Sequence, residues 1–245
     1  MMLYKYITFD NEYWSDSLSE DALYFSTLKE ISNVNDKSEY IVTWNSLSYI
    51  LNVMKKDFQS AYENLFNNTR TLCLSKSKNS AYCWLEFANN NGICLEYEFN
   101  INKKSDIASR HVEYVTSKKL NVLNYISNKF YQPIYASRSR PLDKKYHNFF
   151  STIKEKKEKF EKILIKHITD EIVFKKSKKY WKEDEYRFVH IESNFANFEM
   201  ETHFNKGKIN LDALSLTLTK IHTTSPETLI EKFPNLKDIV VLYTP

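Results

Sequence analysis

Two glutamates, Glu183 and Glu185, stand two positions apart in the segment 179–190, and Arg187 follows two positions later. Aromatic and β-branched residues in the second half of this segment predict a β-strand. Because side chains alternate between the two faces of a strand, one face is expected to carry Trp181, both glutamates and Arg187. Carboxylates at positions i and i+2 would lie roughly 6.5–7 Å apart, which leaves room for a water molecule or an acceptor.

Such a pair suits the cleavage of a glycosidic bond, because positive charge builds up on the sugar and a nearby carboxylate stabilises it. Arg187 on the same face could bind a pyrophosphate through two hydrogen bonds. Alternatively, Arg187 could neutralise Glu185 and keep it ionised, or the segment could be an exposed edge strand with one Arg–Glu pair. Asp184 would point to the opposite face, which weakens a cluster of three carboxylates around a catalytic metal ion.

The composition of the chain restricts the classes of protein to which it can belong. The chain has 245 residues, of which 42% are hydrophobic, so it can bury a sizeable core. Its net charge of +4 allows a polyanionic partner without demonstrating a binding groove. The chain has two glycines, Gly92 and Gly207, which are far apart. Glycine-rich phosphate loops need close glycines, so the sequence excludes Rossmann-type nucleotide binders and P-loop NTPases as usually built.

The three cysteines indicate the redox state of the protein's compartment rather than a metal site. Cys73, Cys83 and Cys94 each lie in an apolar run without a C-x-x-C spacing, so we expect unpaired core thiols and no metal site. Unpaired thiols fit a reducing cytoplasm. We expect neither a signal peptide nor a membrane-spanning segment, because charges interrupt the N-terminal region and every apolar run is short.

Apolar runs and turn signals predict the elements that would position these residues. Strands are expected over 3–8, 22–26, 70–75, 93–99, 111–115, 214–219 and 238–243. Helices are expected over 14–22, 46–65, 120–130, 143–169 and 226–233, while 81–88 fits a helix or a strand. These elements predict one α+β domain over 1–245, in which helices surround a mixed or antiparallel sheet, either continuous or split. A helical segment at about 117–169 would be inserted between the strands.

Lysines on the outer face of the helix predicted over 143–169 alternate with glutamates. Arg138 and Arg140 precede them. This surface could be a solvent-exposed face with Glu–Lys pairs one helical turn apart, or a patch that binds nucleic acid.

Several short segments follow one another in a characteristic order. They are Leu3-Tyr4-Lys5-Tyr6, Leu23-Tyr24-Phe25-Ser26, Asn35-Asp36, Leu72-Cys73-Leu74-Ser75, Trp84-Leu85-Glu86-Phe87-Ala88, Asn91-Gly92-Ile93-Cys94-Leu95-Glu96-Tyr97, Val112-Glu113-Tyr114 and Glu183-Asp184-Glu185-Tyr186-Arg187. Their order and spacing over about 3–190 resemble the bacterial family known as domain of unknown function 2971. The chain departs from that family at Ile7 and Glu86, where an arginine and a histidine are usual. The resemblance implies an architecture rather than an activity.

A second resemblance concerns the order of three strands. An aromatic strand near the N-terminus, an aromatic-Ser strand and a late strand with Glu-x-Glu resemble the order found in ADP-ribosyltransferases. Their NAD sites use no glycine-rich loop, which agrees with the scarcity of glycine here. The resemblance implies that NAD is the substrate. It implies that Glu185 hydrogen-bonds a ribose hydroxyl and stabilises the cationic transition state, and that Glu183 orients or deprotonates the acceptor.

The same resemblance assigns the aromatic residues. Tyr4 or Tyr6 would contact the nicotinamide half of NAD, Tyr24 would stack on the nicotinamide, and Ser26 would support the site. Trp84 could stack a base or the nicotinamide, or it could pack in the core.

Three functional hypotheses follow from the sequence. The first is an NAD-consuming, ADP-ribosyltransferase-like enzyme without a metal, acting as a bacterial defence or toxin effector on a nucleic-acid or protein acceptor. The second is a nucleic-acid-binding protein or a metal-dependent nuclease. The third is an interaction module without catalysis. The sequence determines neither the acceptor nor the oligomeric state.

Overall fold

The computed structural model describes most of the chain. The described residues are 1–11, 14–34, 43–44, 55–78, 80–103, 107–116, 121–122, 125, 157–191 and 207–244. The segment 35–42, with Asn35 and Asp36, lies outside them, as do Arg138 and Arg140. Most of the helical segment expected at about 117–169 also lies outside them.

The described elements include most of the predicted strands and helices, together with a helix over 28–34 and strands over 175–177 and 208–210, which the sequence did not predict. The strands are β1 (Met2–Ile7), β2 (Ala22–Tyr24), β3 (Ser26–Thr27), β4 (Thr69–Ser75), β5 (Ile93–Phe99), β6 (Ala108–His111), β7 (Glu113–Val115), β8 (Lys175–Ser177), β9 (Glu185–Ile191), β10 (Lys208–Asn210), β11 (Leu216–Thr223) and β12 (Val240–Leu242). The α-helices are α1 (Asp16–Ser19), α2 (Leu28–Val34), α3 (Lys55–Asn67), α4 (Ala81–Ala88), α5 (Lys157–His167) and α6 (Pro226–Lys232). A π-helical turn (Ile168–Val173) and two 3₁₀ helices (Lys178–Glu183, Pro234–Ile239) complete the set.

One large sheet organises the molecule. Its strand order is β12-β11-β5-β1-β4-β9-β6, with β3 beside β4. Neighbours are antiparallel except β11 and β12, which are parallel. Two small pairs, β10–β2 and β7–β8, lie outside it. Helices and a mixed sheet in one chain confirm the α+β prediction.

The sheet is split beside β4. β1 pairs with β4 at Tyr4 and Ser75, while β3 pairs with β4 at Thr71 and the residue before it. Because β9 occupies the whole opposite edge of β4, β1 and β3 share the remaining edge and leave its middle open. The Lys5 ammonium fills part of this opening by donating to the Cys73 carbonyl oxygen at 3.1 Å.

Alternation along β1 and β5 gives the sheet two different faces. One face carries apolar side chains such as Leu3, Leu95 and Phe188, all fully buried in the main core. The opposite face carries Tyr4 and Tyr6, which pack with Trp84, Cys83 and Cys94 under α4. The second face thus places hydroxyl and thiol groups next to aromatic rings.

The strand predicted over 179–190 is wrong in its first half. Residues Lys178–Glu183 form a 3₁₀ helix, Asp184 has a left-handed backbone with φ of 44°, and the strand begins at Glu185. The segment 81–88, which the sequence left open, is a helix capped by Ser80, whose hydroxyl accepts from the Cys83 N–H at 3.0 Å. In the described part of the chain, no helix has the length and apolar character needed to cross a membrane.

Candidate functional site

A cavity of about 530 Å³ lies at the split in the sheet. Its size falls within the range of about 300–1,000 Å³ that small-molecule sites occupy. Its wall combines residues from β1, β2, β4, β8 and β9 with the end of the first 3₁₀ helix. The lining residues include Tyr4, Lys5, Tyr6, Tyr24, Ser26, Cys73, Ser75, Phe87, Lys176, Glu183, Glu185 and Arg187.

The structure brings most of the predicted site residues into this one cavity. Seven of them line it: Tyr4, Tyr6, Tyr24, Ser26, Glu183, Glu185 and Arg187. Trp84 does not line the cavity. It is buried behind Tyr6, with ring centroids 5.5 Å apart, and Tyr243 stacks on its other side at 4.0 Å. Trp181, which the strand prediction placed beside the glutamates, points to solvent with 59% of its surface exposed.

The two glutamates meet through a turn rather than through strand alternation. Glu183 ends the 3₁₀ helix, and its carbonyl oxygen accepts from the Ser75 hydroxyl at 2.7 Å. The left-handed Asp184 then connects the 3₁₀ helix to β9. Its carboxylate lies 2.9 Å from His111 Nε2, away from Glu183 and Glu185. The three acidic residues therefore do not form one cluster.

A buried lysine links the two glutamates. Lys176 Nζ lies 2.7 Å from Glu183 Oε2 and 3.2 Å from Glu185 Oε2. Arg187 binds Glu185 bidentately, with Nε donating to Oε1 at 2.8 Å and Nη2 donating to Oε2 at 2.9 Å. Its Nη1 donates to the carbonyl oxygen of Val173. Each of the four charged residues is at most 5% exposed, so water screens these pairs little.

This network separates the pKa values of the two carboxyl groups. Burial, together with the neighbouring Glu185 charge, raises the pKa of Glu183 to about 6, against the opposing effect of Lys176. Burial would also raise the pKa of Glu185. The Arg187 guanidinium and the Lys176 ammonium outweigh burial there and hold that pKa well below its usual range. Glu185 is therefore ionised at any physiological pH, while Glu183 exchanges a proton near neutrality.

Lys5 brings a further positive charge to the cavity. It is half-buried, and burial lowers its pKa, although the charge of Glu185 acts in the opposite direction. Its ammonium group binds the Cys73 carbonyl oxygen and forms no ion pair among the described residues. A half-buried ammonium group without a carboxylate partner favours an anionic ligand.

Cys73 lies on the cavity wall and is half-buried, whereas Cys83 and Cys94 are buried. Burial and the nearby Glu185 raise the pKa of the Cys73 thiol to about 12, so it stays protonated and is a poor nucleophile. All three thiols are free, as the sequence predicts.

Aromatic side chains form the rest of the wall in fixed positions. The Tyr24 hydroxyl donates to Glu30 Oε1 at 3.1 Å, and Glu30 Oε2 accepts from the Thr27 N–H at 2.6 Å. The Tyr6 hydroxyl donates to the turn after β4, at 2.6 Å from the Lys78 carbonyl oxygen. Both rings are thus held by their polar ends, which leaves their faces for packing.

Lys5 and Lys176 are site residues that the sequence reasoning missed. Alternation along β1 assigns Lys5 to the face opposite Tyr4 and Tyr6, so only the split in the sheet explains how it reaches the same cavity. Lys176 stands in a lysine-rich stretch where one buried member cannot be distinguished from its exposed neighbours.

Comparisons with known proteins add no functional assignment to this geometry. No protein-family model matches the chain, and neither a curated protein nor a solved structure shows significant similarity to it.

Proposed function

We propose that the protein consumes NAD as an ADP-ribosyltransferase-like enzyme or NAD glycohydrolase, cleaving the bond between nicotinamide and ribose in the cavity at the sheet split. The observation that carries the proposal is the pair Glu183 and Glu185, two carboxylates in one cavity with pKa values displaced in opposite directions. Divergent pKa values are how enzymes give two carboxyl groups different roles in glycosidic chemistry.

Glu185 supplies the permanent negative charge. As the bond from ribose C1′ to the nicotinamide nitrogen breaks, both bonding electrons leave with nicotinamide and the ribose becomes cationic. A preorganised, water-shielded carboxylate stabilises that charge more than it stabilises the ground state. Arg187 and Lys176 keep Glu185 ionised and fix its orientation, as in the alternative in which Arg187 pairs with Glu185 rather than with a pyrophosphate.

Glu183 handles the proton of the acceptor. In its ionised form it accepts a proton from water or from an acceptor group while the acceptor oxygen or nitrogen bonds to C1′. A group whose pKa is about 6 is well matched to this task near neutral pH.

The remaining wall suits the rest of the substrate. Tyr24 and Tyr6 offer aromatic faces to the nicotinamide ring, and Ser26 lies beside Tyr24 on the same wall. Because Arg187 is occupied by Glu185 and Val173, Lys5 is the better partner for the pyrophosphate.

Release of nicotinamide from NAD tests the proposal. We expect release by the wild-type protein, and a loss of at least about 100-fold in the Glu185→Gln variant, because that substitution removes the charge that stabilises the transition state. Glu231→Gln, an exposed glutamate on α6, is the matched control and should behave as wild type. No release by folded wild-type protein, with or without nucleic acid and protein acceptors, would refute the proposal.

A further inference from the structure

An exposed tryptophan surrounded by lysines lies on the 3₁₀ helix that leads into the cavity. Trp181 is 59% exposed, although most large apolar side chains of this fold are buried. A 3₁₀ helix has three residues per turn, so residues i and i+3 share a face. Lys178 therefore lies on the face of Trp181, and Lys179 lies on the same face as Lys182.

The neighbouring loop adds a further lysine to this surface. The loop after β4 is joined to the 3₁₀ helix by a hydrogen bond from the Lys76 N–H to the Asp184 carbonyl oxygen, at 2.9 Å. The Ser80 hydroxyl also reaches the Lys182 carbonyl oxygen, at 3.5 Å. Lys76 is exposed, and its fixed backbone places it beside the helix.

Three of the four lysines of this surface carry a charge that no ion pair neutralises among the described residues. Within the described part of the chain, Lys76, Lys178 and Lys182 form no ion pair. The adjacent acids are already engaged, since Glu183 is buried against Lys176 and Asp184 pairs with His111. Exposed ammonium groups without acidic partners create a positive potential that attracts polyanions.

The surface is also held rigidly. The Tyr180 ring lies between two ammonium groups, with Lys176 Nζ at 4.8 Å and Lys179 Nζ at 4.7 Å from its centroid. Lys176 in turn binds both cavity glutamates, so the helix that presents Trp181 is anchored to the proposed reaction centre.

We propose that this lysine–tryptophan surface, defined as Trp181 with Lys76, Lys178, Lys179 and Lys182, binds single-stranded nucleic acid. An exposed aromatic ring stacks on an unpaired base of any sequence, and surrounding lysines bind the backbone phosphates. A duplex offers no free base face along its length, whereas an acidic protein offers carboxylates but few planar rings. The combination of ring and charge therefore selects a single strand.

The location of the surface suggests an acceptor role, which rests on the proposed NAD chemistry. Glu183 ends the same short helix that carries Trp181, and it lines the cavity. A strand bound on the lysine–tryptophan surface would bring its bases or phosphates close to the cavity opening. Binding itself does not depend on catalysis.

Fluorescence anisotropy with a labelled single-stranded oligonucleotide of about 12 nucleotides, a length within the site sizes of single-strand binders, tests the inference. We expect binding that weakens at least about fivefold in Trp181→Ala, since one stacked base is lost. The triple variant Lys178→Gln, Lys179→Gln, Lys182→Gln should bind more weakly and lower the slope of log K against log salt by about 2. Leu242→Ala and Lys237→Gln, exposed elsewhere, are the controls.

Three results would overturn the inference: no binding by the wild type in low salt, unchanged binding by both surface variants, or equal competition by duplex DNA or polyglutamate. The last result would indicate a surface that recognises charge alone. The Glu185→Gln variant separates the two proposals, because it should bind the oligonucleotide normally even though it releases no nicotinamide. Nicotinamide release without oligonucleotide binding would leave the proposed function intact and refute this inference alone.

Discussion

At the scale of single residues, Lys176 determines how the site is charged. Its ammonium group contacts both glutamates, while Arg187 contacts Glu185 alone, so the two carboxyl groups have different environments although they are close in sequence. The residue types and their spacing predicted a pair of carboxylates beside an arginine. They could not predict which carboxylate would hold its proton, because burial and the contacts of Lys176 decide that.

We predict that the two carboxyl groups titrate far apart. In ¹³C NMR spectra of glutamate-labelled protein, one carboxyl should titrate near pH 6 and disappear in Glu183→Gln. A second, absent from Glu185→Gln, should stay ionised well below the usual glutamate pKa of about 4.3. Transfer to an acceptor should accordingly increase as the pH rises through about 6, since the ionised form of Glu183 is the base. Two carboxyls titrating together near 4.3 would contradict the separation.

Arg187 should contribute far more to the free energy of unfolding than a cation on the surface does. Replacing it in Arg187→Met leaves Glu185 buried with one partner fewer, so we expect a loss of about 3–5 kcal/mol in the free energy of unfolding. Lys103→Met breaks an exposed pair with Asp212 and should cost about 1 kcal/mol or less. Urea denaturation at pH 7 measures both, and equal losses would show that the Arg187 network contributes no more than a surface pair.

At the scale of elements, the 3₁₀ helix before β9 decides where the glutamates and Trp181 point. Aromatic residues and alternation in 179–190 favoured a strand, but Lys178–Glu183 form a 3₁₀ helix, in which residues two positions apart, such as Trp181 and Glu183, point in different directions. The left-handed Asp184 separates this helix from β9. Runs of apolar, aromatic and β-branched residues predicted β1, β4, β5 and β9 from Tyr186 onward, and the structure buries most residues of each of these strands. A single residue with positive φ leaves no periodic signal, so the turn was not predicted.

The turn after α4 depends on Gly92. A Cβ at this position would lie 2.1 Å from the backbone oxygen of Ile7, in the strand that lines the cavity. Gly92→Ala should therefore destabilise the fold by about 3 kcal/mol through overpacking against backbone that cannot move aside. Asn91→Ala, in the same exposed turn, should have little effect. Thermal unfolding measures the two, and a Gly92→Ala variant as stable as Asn91→Ala would contradict the close packing.

At the scale of the whole molecule, the cavity exists because two distant segments, β1 and β3, share one edge of β4. β1 and β3 leave the middle of that edge open, and β9 on the other side carries Glu185 to it. The sequence predicted the α+β class and most strands of the large sheet, but not β8 or β10. It left open whether the sheet was continuous or split, because strand order depends on long-range pairing that a single sequence does not encode locally.

Acid should destabilise the whole fold through His167. This residue is 1% exposed between Tyr62 and Tyr125, and burial lowers its pKa to about 4. In the unfolded chain the His167 imidazole binds the proton more tightly, with a pKa of about 6.5. Stability that is present above this pH is therefore lost as the pH falls toward 4, by on the order of 3 kcal/mol.

The titration of Glu183 has the opposite effect on stability, over an overlapping pH range. Because the pKa of Glu183 is higher in the folded protein than in the unfolded chain, stability increases as the pH falls from about 6 toward the pKa of an unfolded glutamate. Urea denaturation between pH 4 and 7 separates the two effects. The measurement compares wild type with Glu183→Gln and with the double variant Glu183→Gln, His167→Phe. The acid loss should be steeper in Glu183→Gln than in wild type, and much smaller once His167→Phe is added. An unchanged pH dependence in either variant would contradict the assignment.

A crystal structure of the Glu185→Gln variant grown with saturating NAD tests the proposed NAD site without intermediate steps. We expect intact NAD in the cavity at the sheet split, with its nicotinamide against Tyr24, its ribose within hydrogen-bonding distance of residues 183 and 185, and its pyrophosphate near Lys5. An empty cavity, or NAD bound elsewhere on the molecule, would contradict the proposed site.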